Sequence, residues 1–224
     1  MIVVFDLDDT LYLERDYVKS GFAAVGRLVR EEYCVPGFGD YCWKRWQEGY
    51  RDEVFQDAIQ SHFLNMETTV EQLVDCYHNH TPDIKLCPDV PDVLDWIQKE
   101  LIGTALITDG RQATQALKTK ALDLCLGCTV FTGDIFRSLG IDCSKPEHHG
   151  FRAVEGWAGS SEGSGYVYIA DNPAKDFIAP HERGWKTIRI RREGGLHQSV
   201  PSPNYLDAEW TNLEPLTSWL EERG

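Results

Sequence analysis

The chain has 224 residues, 42% of them hydrophobic and 26% charged, proportions that exclude a disordered or collagen-like polymer. Its 22 basic residues against 36 acidic ones give a net charge of −14, the wrong sign for displacing counterions from nucleic acid or for settling on an anionic membrane. An anionic substrate would need local positive charge or a bound cation.

In chain order, Ile2–Phe5 is a run of β-branched and aromatic residues, as expected for a strand buried on both faces of a parallel sheet. The opening Met1–Asp6 lacks the basic segment of a signal peptide, and no apolar run reaches the ~18 residues of a membrane span. A cytoplasmic protein with neither membrane nor nucleic-acid partner is therefore expected. From Leu13 to Lys85 the period changes. Val18, Phe22, Val25 and Val29 recur at helical spacing, as do Trp43, Trp46 and Tyr50, then Phe55, Ile59 and Phe63, then Val70, Leu73, Val74 and Tyr77. Thr68 and Glu71 form a capping-box pattern before the last of these. No strand pattern interrupts, so residues 13–85 are expected to be an all-helical insertion, leaving 1–12 and 86–224 as the main domain.

Beyond the insertion, Leu94, Ile97 and Leu101 predict a helix behind Asp89 as cap, with Pro91 in its first turn. Strand patterns follow at Thr104–Ile107, Thr129–Phe131, Tyr166–Ala170 and Lys186–Ile190. A helix over Gln112–Leu122, carrying Leu117 and Ala121 at i, i+4, follows the first of them. Residues 159–165, rich in glycine and serine, read as a flexible surface loop. The alternation predicts an α/β fold, a doubly wound, Rossmann-like parallel sheet with an inserted helical domain. The seven cysteines are odd in number and irregularly spaced, so reduced thiols are expected; Cys125 and Cys128 form a lone CxxC without a second pair at zinc spacing.

Polar groups collect where these strands end. Asp6, Asp8, Asp9 and Thr10 follow the first strand, and alternate residues leaving a strand point the same way, so Asp6 and Asp8 can converge on one site. Two carboxylates so close call for compensation such as a cation; the plainer reading is an acidic turn. Thr108, Asp109 and Gly110 close the second strand and open a helix, offering a hydroxyl and backbone N–H groups to an oxyanion, or simply a helix cap. Lys145, before Pro146, precedes the fourth strand. Asp171 and Asp176 follow that strand, as ligands or as turn formers. Any one of these is unremarkable; their order along a single sheet is not accidental.

In this pattern the sequence resembles the haloacid dehalogenase superfamily, the large group of aspartate-nucleophile phosphatases. Asp6-Leu7-Asp8-Asp9-Thr10 is similar to its first motif, Thr108 to its second, Lys145 to its third, and Asp171 with Asp176 to its acidic fourth. The helical insertion stands where that family places a cap of the first type. Ala170 occupies a position where many members carry glycine, and Lys118 and Lys120, on a helix, are the weaker alternatives to Lys145.

The resemblance implies roles. Asp6 would attack phosphorus and Asp8 would serve as general acid and then base. Thr108 and the N–H groups of Asp109 and Gly110 would hold the phosphoryl oxygens, with Lys145 balancing charge. Mg²⁺ would be held by the Asp6 carboxylate, the Asp8 backbone carbonyl and Asp171, while Asp176 would stand behind them, orienting Lys145 or a water. The activity implied is Mg²⁺-dependent hydrolysis of a small soluble phosphate monoester, a sugar phosphate or nucleoside monophosphate, by a monomer or homodimer. The cap would keep out bulk water and large partners. Tyr12, Tyr17, Trp43, Trp46 and Tyr50 either line the leaving-group pocket or pack a core.

Four other readings stand beside this one. The namesake dehalogenases need neither a metal nor the second acid, so Asp8, Asp171 and Asp176 favour phosphoryl transfer. A phosphonate-cleaving relative would need a cap lysine for a Schiff base, and Lys19 and Lys44 have no distinctive context. A phosphomutase, and a non-catalytic regulatory or binding module on the same fold, remain as alternatives.

Overall fold

The N-terminal strand β1 (Ile2–Phe5) lies inside a 6-stranded, all-parallel sheet in the computed structural model, which describes residues 1–62, 69–133, 142–160 and 163–223. The other strands are β2 (Gly103–Thr108), β3 (Cys128–Phe131), β4 (Tyr166–Ala170), β5 (Lys186–Ile190) and β6 (Ala208–Trp210). Their spatial order is β3-β2-β1-β4-β5-β6. The chain therefore winds outward one way from β1 through β2 to β3, then returns to the other side of β1 for β4. The reversal falls between β1 and β4, paired from Ile2 with Tyr166 to Phe5 with Ile169. In open α/β sheets that switch point is where a crevice opens beyond the strand ends.

Both sheet faces are covered, which explains the uninterrupted apolar strand patterns: all five residues of β4 are buried, as are Val3, Val4 and Phe5. On one face Val4, Ala105, Ile107, Tyr166, Tyr168 and Ala170 pack with Phe151 and Val154 of α7 (His149–Ala158), with Ala179 of α8 (Ile178–Glu182), and with Phe177 and Trp185. Helix α5 (Val90–Lys99) has Pro91 in its first turn, as expected, and buries Val90, Val93 and Ile97. Asp89 occupies its N-cap position but does not cap it. Its carboxylate instead accepts from Arg192 Nη1 and from the Leu213 N–H, each at 2.6 Å. The remaining helices of this part are α6 (Gln112–Ala121) and α9 (Leu216–Glu221).

The chain divides into two compact units, Met1–Glu14 with Lys85–Gly224, and Arg15–Ile84. The second unit contains the body of α1 (Glu14–Tyr33), then α2 (Phe38–Gln47), α3 (Val54–His62) and α4 (Val70–Asn79). Its core includes Val18, Phe22, Val25, Val29, Phe38, Phe55 and Leu73, so the stripe of α1 marks a true inner face, whereas Tyr50 of the second expected stripe lies beyond α2 and is exposed. The approach of α1 and α2 is close enough to need glycine: a Cβ on Gly39 would stand 2.4 Å from the Phe22 carbonyl oxygen. The capping box of α4 is formed by Thr69 and Gln72, whose backbone N–H donates to Thr69 Oγ1 at 3.3 Å. The expected Thr68, like Phe63 and part of the 159–165 loop, lies outside the described residues. All seven cysteines are free thiols.

Candidate active site

The first site segment leaves β1 as a tight loop rather than as further strand. Asp6 continues the ladder through its N–H to the Ile169 carbonyl at 2.9 Å, and Leu11 N–H returns to the Leu7 carbonyl at 3.0 Å. The bend puts Asp9 at a positive φ of 53°, a conformation that aspartate tolerates better than most residues. Its carboxylate fixes the loop, accepting from the Glu14 N–H at 2.8 Å and the Leu196 N–H at 2.7 Å. Asp9 thus serves the loop's shape, while Asp6 and Asp8 project beyond the sheet.

Lys145 joins the expected motifs. Its Nζ lies 2.5 Å from Asp6 Oδ1, 2.8 Å from Asp176 Oδ1 and 2.9 Å from the Tyr168 hydroxyl, with Lys145 only 5% exposed and Asp176 fully buried. Burial disfavours the lysine's charge, but Asp176 and Asp6 outweigh it and hold its pKa well above the ordinary value. Burial pushes the Asp6 carboxyl up to about 7; Lys145 pulls it down by less, and Asp176 adds to the rise. Asp176 is itself held by the Asn172 N–H at 2.8 Å on its other oxygen.

Asp171 has no such partner. It is 7% exposed, makes no ion pair among the described residues, and is pushed up to about 9 by burial and then by Asp6, Asp176 and Asp9. Ligand oxygens of Asp6, Asp171 and Asp176 lie within 4.8 Å of one another. A buried carboxylate without a counter-charge next to two others is costly, and a cation removes that cost. Three hard oxygen donors suit a divalent ion such as Mg²⁺, so the residues present fit the metal that the motifs imply.

At the end of β2, Thr108 is buried, and its carbonyl accepts from the Thr132 N–H at 3.0 Å. Asp109 is a scaffold: its carboxylate takes Lys175 Nζ and Thr132 Oγ1 at 2.6 Å each and the Lys145 N–H at 3.1 Å. Burial raises its pKa, but Lys145 and Lys175 more than reverse this and hold it below its ordinary value. Gly110 turns at φ 102°, and a Cβ on Gly133 would stand 2.2 Å from its carbonyl oxygen. The Thr108 hydroxyl donates to the Asp109 carbonyl at 3.5 Å.

Several partners lie outside the expected set. Lys118, a weak alternative by sequence, is 3% exposed on the inner face of α6 with Thr114 and Gln115, and its Nζ lies 2.7 Å from Asp8 Oδ1. Lys120 is exposed. The Tyr12 hydroxyl donates to Asp8 Oδ1 as well, so it is engaged there rather than lining an open pocket. Arg189, fully buried on β5, donates from Nε to the Asp171 carbonyl at 3.0 Å, and from Nη1 and Nη2 to the Val200 and His197 carbonyls at 2.8 and 2.7 Å. Arg192 Nε donates to the Thr10 carbonyl at 2.9 Å. Two arginines thus hold the backbones of two site loops. In the helical unit, Trp43 and Trp46 stack at 5.0 Å, Tyr17 is buried, and exposed Tyr50 lies under the Arg45 guanidinium. Lys19 and Lys44 are exposed.

A family model for haloacid dehalogenase-like hydrolases matches residues 1–179. The chain belongs to that family. No curated protein matches it in sequence. Solved structures of similar fold include a Thermotoga maritima protein assigned as a β-phosphoglucomutase, with a TM-score of 0.68 at 20% identity, covering 99% of this chain and 98% of that one. A 2-haloacid dehalogenase from Pseudomonas syringae has a TM-score of 0.63 at 22% identity, with 100% and 99% covered. A HAD hydrolase of Bacillus subtilis, bound to magnesium, has a TM-score of 0.65 at 19% identity, with 98% and 97% covered. At these identities the likeness is one of fold. This haloacid dehalogenase-like hydrolase shares it with proteins described by different chemistries, so the reaction has to be argued from the site.

Proposed function

We propose that this hydrolase is a Mg²⁺-dependent phosphatase of small phosphate monoesters that works through a phospho-aspartate on Asp6. The observation that carries the reading is the buried group of Asp6, Asp171 and Asp176, whose ligand oxygens lie within 4.8 Å, with one lysine shared between two of them and, among the described residues, none on Asp171. Asp6, Asp171 and Asp176 supply oxygens that would hold Mg²⁺, with the Asp8 backbone carbonyl as a further donor. When bound, the ion offsets the repulsion between carboxylates and an incoming phosphate dianion.

The residues divide the reaction as follows. An Asp6 carboxylate oxygen forms the new bond to phosphorus as the bond from phosphorus to the leaving oxygen breaks. Asp8, two residues on and 24% exposed at its side chain, gives that oxygen a proton, so no bare alkoxide has to depart. The Thr108 hydroxyl and the N–H groups after it stabilise the non-bridging oxygens, and Lys145 offsets charge on Asp6 and the phosphoryl group. Asp8 then takes a proton from the water that attacks phosphorus, releasing phosphate and restoring Asp6. Asp6 is only 6% exposed, which favours a phosphoryl group at the end of a small molecule over one on a broad surface.

The test is phosphate release from a panel of sugar phosphates, nucleoside monophosphates and phenyl phosphates, run with Mg²⁺, with chelator, and with Asp6→Asn. Chloride release from a 2-chloroacid is measured in parallel. Metal-dependent phosphate release, lost by about 10³-fold or more in the variant, is expected. Chloride release without phosphate release would overturn the reading in favour of dehalogenation. Isomerisation of a sugar phosphate without net hydrolysis would favour a phosphomutase.

A further inference from the structure

We propose that Lys118 and Tyr12 together position the Asp8 carboxylate for proton donation, and so set how well the enzyme expels a poor leaving group. The assignment rests on the phosphatase reading above and names two residues that the motifs do not.

The geometry is specific. Lys118 Nζ and the Tyr12 hydroxyl both donate to Oδ1 of Asp8, the former at 2.7 Å, and among the described residues no donor sits on Oδ2. A carboxylate gripped twice on one oxygen has a fixed plane and presents the other oxygen outward. That second oxygen is the one that carries a proton to the leaving group. Both partners are themselves constrained: Lys118 is 3% exposed on α6, and Tyr12 is fully buried with its backbone bridged to Asp8. The Lys118 ammonium also lies 5.9 Å from the Tyr12 ring centroid, so the three groups form one packed unit. A lysine at such a depth would be a liability if it served only the surface of a helix. Asp6 meets a different lysine, Lys145, which it shares with Asp176, so the two reacting carboxylates are held by separate cations.

Proton donation matters in proportion to the basicity of the departing oxygen, and a positioned general acid contributes typically about 10²–10⁴-fold. The experiment measures kcat/KM for substituted phenyl phosphates, from 4-nitrophenyl to unsubstituted phenyl, in the wild type, Lys118→Met and Tyr12→Phe, with Mg²⁺ present. kcat/KM reports the step in which the leaving group departs, whatever limits turnover. The expected result is a steeper dependence on leaving-group pKa in both variants, phenyl phosphate losing at least about tenfold more than 4-nitrophenyl phosphate. Asp8→Asn should show the same steepening, and adding Lys118→Met to it should steepen the plot no further, because the effect of the lysine on the leaving group passes through that carboxylate. Loss of packing alone would lower all the esters together.

If Lys118→Met does not fold, Tyr12→Phe, which removes one hydroxyl, decides the question alone. Unchanged slopes in an active wild-type background overturn the assignment and leave the phosphatase reading intact. A shallower slope also overturns it, since the lysine would then withhold the proton rather than present it. A wild type inactive on every ester overturns the phosphatase reading, and this assignment with it.

Discussion

Replacing Asp171 with asparagine should stabilise the protein without metal and remove most of its response to Mg²⁺. Asp171 is 7% exposed and has no ion pair among the described residues, and burial followed by Asp6, Asp176 and Asp9 raises it from 3.8 to about 9. A carboxyl whose folded pKa exceeds its unfolded one binds more protons folded than unfolded between the two values. Stability is therefore lost as pH rises through the window from about 4 to about 9. At about 1.36 kcal/mol per pKa unit the ceiling on that loss is about 7 kcal/mol. Proton sharing with Asp6 and relaxation around the charge reduce the measurable part to about 1–3 kcal/mol. For a chain of this size that is about 2–12 °C in Tm. Thermal melting in chelator from pH 5 to 9 should show the wild type declining more steeply than Asp171→Asn, and the variant melting higher at pH 8. With Mg²⁺ at a hundred times its Kd the wild type should recover about 2.7 kcal/mol, or about 5–11 °C, and the variant much less. A variant that melts below the wild type in chelator at pH 8, or that gains as much from Mg²⁺, would refute the account of an uncompensated carboxylate awaiting a cation.

Lys145→Met leaves Asp6 and Asp176 buried without their shared cation, and should cost about 3–5 kcal/mol of stability, read as a fall in urea midpoint, together with the loss of phosphate release. Arg189→Met strips donors from the carbonyls of Asp171, Val200 and His197, at about 1–3 kcal/mol for each carbonyl left dry. Because one of those carbonyls belongs to Asp171, the concentration of Mg²⁺ giving half-maximal activity should rise as well. A stability loss with unchanged metal dependence would show that Arg189 braces the 197–202 segment alone.

What the sequence made legible follows from where each signal lives. Buried parallel strands are written as consecutive apolar residues, and all five expected strands are present; β6 is three residues long with Glu209 at its centre, too short for any period to show. Helix α7 is not among the expected elements: its buried Phe151 and Val154 give only one helical step of pattern before the left-handed Gly159 that ends it. The charged residues beyond β1, β2 and β4 are recognisable because strand ends are where ligand groups belong, and the structure gathers Asp6, Lys145, Asp171 and Asp176 into one cluster. Lys118 has no such address. It lies mid-helix among polar neighbours, and only the burial of Thr114 at i−4 hints that this face turns inward. Arg189 reads as a surface residue of an alternating strand, because its partners are carbonyls that no side-chain pattern records. Asp89 shows the converse: the right residue type at a cap position, recruited instead by Arg192 and the Leu213 N–H from distant parts of the chain.

The balance of charge at the switch point bears on which chemistry the fold has been fitted to. Lys145 is shared by Asp6 and Asp176, Lys118 is committed to Asp8, and Lys175 to Asp109. Among the described residues every lysine of the cluster is thus engaged, and Asp171 still stands without one. Displacement of halide from carbon by an aspartate moves one negative charge onto the departing ion, and a lysine beside the nucleophile is compensation enough. A buried, unpaired Asp171 would then burden the fold without serving the reaction. Phosphoryl transfer differs because the atom under attack carries its own negative oxygens, which the carboxylates repel unless a cation is interposed. An uncompensated carboxylate beside the nucleophile is a defect in the first chemistry and a ligand in the second. That asymmetry, more than any likeness of fold, is the physical reason for proposing phosphate esters as the substrates of this hydrolase.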